Sequence, residues 1–449
     1  MPSTDMHRFT SGSITWSLIR FAIPFLCANF LISLYGAADV FIVSYFADSS
    51  ALSATTTGFQ AIFTVMALSI GLGMGGTVLI GQYFGAKREK DVIETIGTVL
   101  ILFAGLSVIC ACCMIFMADT ITHWMKTPEE AWVGTRNYIR ICGGGMIFTF
   151  IYDAVSAILR GLGDSKNPLK FVAIAVVINV FLDLLFIGYF KWGASGAAAA
   201  TIIAQSMSVI IGVIYLKKHN FIFDFQYKSF KFIPEKAKMI LKLGIPMAIQ
   251  QTIVFMSFTI MTIAVNKLGV IASAALGITN RIDGFLIMPA LAFGSSISVV
   301  TAQNMGAGEI KRAQRSFYIG LLLSLIFAVP SFMMMLIWPE RLMALASSDM
   351  KIIASGGDFM LAYSPDCILM ALVFCINGFF NGCGRTTFTM VNNISSSIIF
   401  RIPLILVAKT LYGIGLSMPF STLPQSLIAV AYFFTNRWKK PVIISQGNN

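Results

Sequence analysis

The chain has 449 residues, of which 57% are hydrophobic and only 12% are charged. A soluble domain carries about 25% charged residues, because polar groups must cover its surface. The composition therefore excludes a soluble globular protein and indicates a protein embedded in a lipid bilayer. The net charge of +12 does not indicate a nucleic-acid partner, because the basic residues lie between apolar runs, where they orient membrane helices.

Apolar segments long enough to cross a bilayer, about 20 residues each, follow one another along the whole chain. They predict an all-α integral membrane protein with twelve transmembrane helices. In chain order these helices cover residues 16–46, 52–82, 93–118, 135–159, 168–190, 195–216, 239–267, 271–303, 315–338, 355–382, 388–410 and 414–436.

The basic residues give this arrangement an orientation. With an even number of helices, both termini lie on one side of the membrane. Of the 32 Lys and Arg residues, 22 fall at or near that side, 8 at or near the other side, and 2, Arg281 and Arg401, in the interior of predicted helices. Loops rich in Lys and Arg face the cytoplasm. We therefore expect a multi-pass protein of the plasma membrane with both termini cytoplasmic.

Short motifs of the first half recur in the second half, in the same order and at an offset of 220 to 222 residues. Such a series indicates an internal duplication. The pairs are Gln82–Gly85–Ala86 with Gln303–Gly306–Ala307, Gly161-x-Gly163 with Gly382-x-Gly384, Trp192–Gly193 with Tyr412–Gly413, Gln205–Ser206 with Gln425–Ser426, and Pro24 with Pro246.

The duplication predicts two six-helix bundles. The N-terminal lobe covers 1–216, a basic cytoplasmic linker covers 217–238, and the C-terminal lobe covers 239–449. Because six is even, both halves enter and leave the membrane on the same side, which makes them parallel repeats. We expect substrate to bind between the bundles, which would rock to open the cleft to alternate sides. The linker is expected to be a solvated loop that partly contacts lipid headgroups.

A carboxylate near the bilayer centre costs about 2.5–3.5 kcal/mol and usually has a function. Asp39 and Asp183 lie late in two outward-running helices, at similar depth, and Asn179 precedes Asp183 by one helical turn. Thr201, early in the following helix, reaches the same level. These groups can accept a proton or supply oxygen ligands to a small cation. The alternative is a structural network that holds the three helices together.

Other charged residues within the predicted helices favour structural pairing over transport chemistry. Asp153 and Ser156 share a helix face, and Arg401 has Asp366 as a candidate partner. Asp283 is a further acid within a helix; it is two residues from Arg281, so those two side chains point in different directions.

Enzyme motifs are missing or lack their structural context. No G-x-x-x-x-G-K-[ST] segment is present, so the chain is not expected to hydrolyse ATP. The segment Gly71-x-Gly73-x-x-Gly76 lies inside an apolar helix with no strand before it, which favours helix packing over dinucleotide binding. The three histidines, His7, His123 and His219, are far apart, and the eight cysteines lie in or beside apolar runs, where they read as small apolar side chains. The chain is not expected to be an enzyme.

Three segments resemble the multidrug and toxic compound extrusion (MATE) family, and the resemblance extends over nearly the whole chain. Ile23–Asp39 resembles the family's first helix with its functional aspartate, Ile158–Lys166 resembles its loop after helix 4, and Ile178–Asp183 resembles its helix 5 motif. The resemblance implies a V-shaped, alternating-access transporter that exports organic cations or amphipathic drugs against inward H⁺ or Na⁺.

The same resemblance assigns residues to a cation site. It implies a site for H⁺ or Na⁺ in the N-terminal lobe, formed by Asp39, Asn179, Asp183 and Thr201, with Tyr35 and Tyr138 close by. Asp153 and Ser156 stand where members often carry asparagines on helix 4, and they are treated as accessory residues. Helix 7 carries Gln250 and Gln251 but no glutamate, which argues against a cation site of that kind in the C-terminal lobe. We expect a monomer that needs no cofactor beyond its coupling ion.

Two alternatives remain. A flippase for a lipid-linked sugar or precursor would use the same two-lobe architecture, but flippases often have basic cavities, and few basic residues are intramembrane here, chiefly Arg281 and Arg401. A membrane enzyme or scaffold is disfavoured, because no nucleophile, base and metal residues occur together and a scaffold would not need several buried acids.

Overall fold

The computed structural model describes residues 9–218, 221–226 and 229–439, and these residues contain helices, turns and loops but no strand. The predicted all-helical fold is confirmed. Several residues used above lie outside the described segments, namely the basic residues Arg8, Lys228 and Lys440 and the histidines His7 and His219.

The first half of the chain contains eight α-helices. They are α1 (Ile14–Phe46), α2 (Ser49–Gly85), α3 (Glu89–Phe116), α4 (Ala118–Trp124), α5 (Glu129–Gly144), α6 (Met146–Gly161), α7 (Lys166–Asp183) and α8 (Gly193–Lys218). A π-helical segment, Leu184–Tyr189, follows α7 directly.

The second half contains ten α-helices. They are α9 (Pro234–Asn266), α10 (Val270–Leu286), α11 (Met288–Gly306), α12 (Ile310–Ile337), α13 (Pro339–Ala344), α14 (Met350–Tyr363), α15 (Asp366–Gly382), α16 (Thr386–Ser395), α17 (Ile402–Val407) and α18 (Leu411–Phe434). A π-helical segment, Ser396–Arg401, joins α16 to α17, and a 3₁₀ turn, Arg437–Lys439, follows α18.

Within the described residues, nine helical spans are long and apolar enough to cross a membrane, and three bent helix pairs bring the number to twelve. The pairs α5–α6, α10–α11 and α14–α15 bend by 51°, 42° and 49°. Each pair was predicted as one span, long enough to permit a kink but with no bend assigned to it. Pro289 and Pro365 explain two of the bends, because proline has no amide hydrogen and clashes with the preceding turn. At the third bend the chain runs through Gly143–Gly145.

The chain forms two compact units, and both α1 and α9 are divided between them. Unit 1 contains Cys27–Phe84 and Arg88–Ala248, whereas unit 2 contains α1 up to Leu26, the segment Gly85–Lys87 and everything from Ile249 onward. Each division lies two or three residues after a proline within the helix, Pro24 in α1 and Pro246 in α9.

Close packing inside each unit explains these divisions. In unit 2, the amide of Phe9 donates to Oε1 of Gln303 at 2.8 Å, and Ser296 donates to the carbonyl of Leu18 at 3.0 Å. In unit 1, α2 packs directly on the first part of α9, where a Cβ at Gly75 would lie 2.8 Å from the amide nitrogen of Gly244. Only glycine lets the two backbones approach this closely.

The repeated Gly-x-Gly motifs play the same two roles in each half. A Cβ at Gly161 would lie 2.8 Å from the carbonyl of Thr77, and a Cβ at Gly382 would lie 2.5 Å from that of Ser298. The second glycine of each motif, Gly163 or Gly384, has a φ near +80° and ends its helix in the left-handed region that glycine favours.

Large apolar side chains cover much of the surface of the helices. Phe116 is 83% exposed and Val270 is 85% exposed, and many other aromatic and aliphatic side chains are also exposed. A water-soluble surface would not carry so many. In a bilayer these side chains contact lipid, while the helices satisfy their own backbone hydrogen bonds.

The predicted linker is packed against unit 1 rather than wholly solvated. Phe221 and Phe223 are buried, and the hydroxyl of Thr98 in α3 receives a hydrogen bond from the amide of Ile233 at 3.3 Å. Helix α9 already begins at Pro234, inside the range predicted as linker.

Candidate cation site in the N-terminal half

Four helices of unit 1 supply the side chains of the predicted cation site. Asp39 comes from α1, Asn179 and Asp183 from the last turns of α7, Thr201 from α8 and Tyr138 from α5. Asp183 is the last residue of α7 before the backbone changes to a π-helix. Such π-segments are frequent at functional sites, because the extra residue per turn reorients the neighbouring side chains.

The acids and the amide of this site are buried and poorly hydrogen-bonded. Asp39 is 8% exposed, Asn179 1% and Asp183 0%. One carboxylate oxygen of Asp39, both of Asp183 and both polar side-chain atoms of Asn179 have no hydrogen-bond partner within the described segments. Each buried polar group left unsatisfied costs about 1–3 kcal/mol. Such groups in a native protein have a partner from solution or a role in chemistry.

The two carboxylates influence each other electrostatically. The charge on Asp39 acts on Asp183, and both act on the phenol of Tyr35. No ion pair between either carboxylate and a Lys or Arg occurs in the part of the chain that the structure describes. Two like charges in a buried site without a base favour uptake of a proton or a cation.

Tyr35 and Thr201 connect α1 to α8 beside these acids. The phenolic oxygen of Tyr35 lies 2.9 Å from Oγ1 of Thr201, and either hydroxyl can donate. Tyr35 precedes Asp39 by one helical turn, so the two side chains lie on the same face of α1. The hydroxyl of Thr201 is therefore held by a tyrosine of the site.

Tyr138 and Cys142 form the α5 wall of the site. Tyr138 is 2% exposed, and its ring packs on α2, where a Cβ at Gly58 would lie 2.5 Å from Cδ1 of the ring. Cys142, one turn later, interacts with Tyr138 and with the charge of Asp39. Sequence reasoning missed Cys142, because it treated every cysteine as a small apolar side chain. The pairing of Tyr138 and Cys142 at i and i+4, on the same face as a predicted site residue, is the signal that could have identified it.

The accessory candidates on α6 lie in a different polar cluster. Oδ2 of Asp153 accepts a hydrogen bond from Ser69 in α2 at 2.6 Å, and the charge of Asp153 interacts with that of Arg160. Ser156, one turn after Tyr152, is buried on the same helix. The hydrogen bond links α2 to α6, and the charge of Arg160 acts on Asp153, whereas no basic residue of the described segments acts on Asp39 or Asp183.

The donor set at Asp39, Asn179, Asp183 and Thr201 fits a small hard cation. Carboxylate, amide and hydroxyl oxygens are the ligands that such cations prefer. The unpartnered oxygens of the two acids and the amide are the atoms that a cation would engage. The same carboxylates equally fit a proton, so the residues present are compatible with either coupling ion.

Comparisons with known proteins identify the family of the chain. The MatE family model matches residues 24–185 and again residues 246–407. The chain belongs to the MatE family. The two matches also confirm the internal repeat. A probable multidrug resistance protein of Bacillus subtilis (strain 168), YpnP, is 28% identical to this chain over 436 residues, covering 96% of this chain and 98% of YpnP.

Two further comparisons each cover almost the whole of this chain. Another probable multidrug resistance protein of the same organism, YoeA, is 27% identical over 443 residues, covering 96% of each chain. A crystal structure of MATE in complex with MaL6 has a TM-score of 0.90 at 18% identity, covering 96% of this chain and 98% of the other. The latter shows a shared fold. The chain is thus a multi-pass MATE membrane protein.

Proposed function

We propose that this MATE protein is a secondary active exporter of organic cations or amphipathic drugs, driven by inward movement of H⁺ or Na⁺. The observation that carries the proposal is the pair of buried acids, Asp39 and Asp183, with unpartnered oxygens and no basic partner within the described residues. Family membership and the names of YpnP and YoeA support multidrug export as the function.

The acid pair would act as the coupling site. An empty site holds two like charges in a poorly hydrated environment, which is unfavourable. Binding of H⁺ or Na⁺ from outside would relieve the repulsion and draw α1, α7 and α8 together. This change would favour rocking of the two lobes and release of the ion to the cytoplasm. Asn179 and Thr201 would complete the oxygen shell, with Tyr35 and Tyr138 orienting it.

The free energy available for export depends on how many ions enter for each drug cation. Exchange of one monovalent drug cation for one H⁺ or Na⁺ moves no net charge, so only the chemical gradient drives it. A tenfold gradient is worth about 1.4 kcal/mol. If two ions enter for each drug cation, the membrane potential adds about 2.3 kcal/mol per 100 mV.

We also propose that the protein lies in the plasma membrane with both termini in the cytoplasm. It would act as a monomer.

The test is efflux of a fluorescent organic cation from proteoliposomes under an imposed pH gradient or, separately, an imposed Na⁺ gradient. We expect transport under one gradient, which identifies the coupling ion, and loss of that transport in Asp39→Asn. Absence of transport under both gradients, with protein that is folded and inserted, would contradict ion-coupled drug export. Lipid-linked substrates would then be assayed, because a flippase is the alternative with the same architecture.

A further inference from the structure

Unit 2 contains a second cluster of ionisable side chains, all buried except for one partly exposed acid, which the proposed coupling site does not use. It consists of two acids, a tyrosine and an arginine from four different elements: Asp283 (α10), Tyr363 (α14), Asp366 (α15) and Arg401 (the π-segment Ser396–Arg401). Asp283 interacts with Tyr363 and with Asp366, and Asp366 interacts with Arg401. Unlike the acids of unit 1, Asp366 has a base nearby, although the two do not form a direct ion pair and Oδ1 of Asp366 has no hydrogen-bond partner within the described residues.

The guanidinium of Arg401 is fixed by three contacts. Its Nε donates to Oγ of Ser421 at 3.3 Å and its Nη1 donates to Oγ of Ser257 at 3.3 Å. The guanidinium also lies over the ring of Phe258, 5.5 Å from the centroid. Arg401 is only 5% exposed. Because an arginine guanidinium stays protonated in proteins, its positive charge is a permanent part of this site.

The repeat places Arg401 at the position of the cation site of the other half. The two family matches are equal in length, and their end points pair residue 179 with residue 401. The motif offsets of 220 to 222 residues keep Arg401 within two residues of the equivalent of Asn179. A guanidinium therefore lies in the second half at about the point where the first half presents the amide of its cation site.

The second half has also lost the two acids of that site. Over the same offsets, Asp39 corresponds to Thr259, Ile260 or Met261, and Asp183 corresponds to Pro403, Leu404 or Ile405. None of these six residues has a negative charge that could bind a cation. The acids that are present, Asp283 and Asp366, come from other elements, and Asp366 lies near the fixed base.

We propose that Arg401 is a built-in counter-cation that takes, in the second half, the role of the exchangeable coupling ion in the first half. Its charge compensates Asp366, so this half needs no ion from solution, and ion coupling is confined to the acids of unit 1. This inference rests on the proposed function, in which Asp39 and Asp183 load the coupling ion. Arg401 thus determines how many ions the transporter exchanges.

The negative charge of the remaining acid, Asp283, can be stabilised by water. It is partly exposed and borders a cavity of about 10 Å³, which is the size of one water molecule. The residues around this cavity are apolar apart from Asp283, Ser331 and Cys367. The titratable and charged groups facing Asp283 and Asp366 are therefore Tyr363, Cys367 and Arg401.

The test counts the ions bound by purified protein. Binding of ²²Na⁺ at pH 8.5 and proton uptake in weakly buffered solution are measured for the wild type, Arg401→Gln and Arg401→Gln/Asp366→Asn. We expect Arg401→Gln to bind one more cation per chain, Na⁺ or H⁺, than the wild type, and the double variant to return to the wild-type number. An unchanged number in Arg401→Gln would overturn the proposal.

Two controls keep the test decisive. Arg281→Gln makes the same change at an exposed arginine of α10, two residues from Asp283, and should leave the number of bound ions unchanged. If Arg401→Gln does not fold, the double variant should fold, because it no longer contains an uncompensated acid. A double variant that also fails to fold would overturn the proposal. Asp39→Asn reports separately on unit 1, and unaltered ion binding in that variant would contradict the proposed function instead.

Discussion

The phenolic oxygen of Tyr35 and Oγ1 of Thr201 lie 2.9 Å apart, although 166 residues separate them in the chain. This hydrogen bond joins α1 to α8 beside Asp39, and it occupies a hydroxyl that was predicted as a direct ligand of the ion. If Na⁺ binds here, Oγ1 of Thr201 can keep the bond by donating to Tyr35 while its lone pairs face the ion. Tyr35 would then orient a ligand of the cation.

A double-mutant cycle tests this relationship. Tyr35→Phe and Thr201→Val each remove one partner of the bond, so each should lower ion affinity. The double variant should lose less than the sum of the two, by about 0.5–1.5 kcal/mol, or two- to tenfold in affinity. Ion affinity would be measured from the concentration dependence of ion-driven transport. Strictly additive losses would show that the two hydroxyls act independently.

Neutralising either acid of unit 1 should abolish ion-driven export without impairing folding. Asp39→Asn and Asp183→Asn each remove a buried charge that has no basic partner within the described residues, so we expect thermal stability to stay the same or to rise. Ion-driven export should be lost in both variants. Melting temperature and proteoliposome efflux are the two measurements.

Asp48 offers a matched control for these variants. It is exposed between α1 and α2, and its carboxylate accepts a hydrogen bond from the amide of Ala51 at 2.9 Å. Asparagine also caps helices well, so Asp48→Asn should keep both stability and export. Wild-type export by Asp39→Asn or Asp183→Asn would remove that residue from the coupling site.

Gly58→Ala should displace the ring of Tyr138. The added methyl group would lie 2.5 Å from Cδ1 of a ring that is 2% exposed, so the ring has little space to move. We expect a loss of about 1–3 kcal/mol in the free energy of unfolding and a lower ion affinity. Gly105→Ala is the control, because nothing lies within 4 Å of its added methyl group. Equal stability of the two variants would contradict this packing.

The stability of the linker against unit 1 should depend on one cluster of charged residues at the start of α3. Lys236 of α9 forms an ion pair with Asp91, its ammonium lies 3.9 Å from the ring centroid of Tyr83, and Arg88 contacts the same carboxylate at 2.7 Å. The side chains of Lys236 and Asp91 are only 10% and 18% exposed. Asp91→Asn should therefore destabilise this region by about 1–2 kcal/mol, more than an exposed pair would.

Limited trypsin digestion measures this effect, since loss of the ion pair should speed cleavage in the linker. The exposed pair Lys90–Glu94, at 4.0 Å, provides the comparison. Lys90→Gln should leave the cleavage rate unchanged. Equal rates in Asp91→Asn and the wild type would show that other contacts hold the linker.

Hydropathy was sufficient to predict the twelve spans, because burial in lipid imposes length and apolarity on each helix, and recurring short motifs were sufficient to predict the repeat. It could not locate the bends near Gly145, Ile287 and Ser364, since glycine and proline within an apolar run are compatible with straight and bent helices alike. The partial docking of the linker was also missed, because Phe221 and Phe223 are isolated aromatics in a lysine-rich segment.

The site was predictable to the extent that charge is costly in a membrane. Asp39, Asn179 and Asp183 follow from depth and helical spacing, and Tyr35 and Tyr138 follow from resemblance to the family. Neither argument gives the partner of a hydroxyl, so the Tyr35–Thr201 bond required coordinates. Cys142 and the setting of Arg401 depend on contacts between helices far apart in sequence, which a single sequence does not record.

The division of α1 and α9 between the two units bears on how the protein is synthesised. Unit 1 includes residues up to Ala248, so it stays incomplete while the ribosome is still making the first six spans. The beginning of α1, including Leu18, must wait for partners such as Ser296 that are translated almost 280 residues later. A chain cut in the linker would therefore give two products, each with one helix end whose packing partners lie in the other product. This exchange of helix ends would oppose a later separation of the two halves into independent chains.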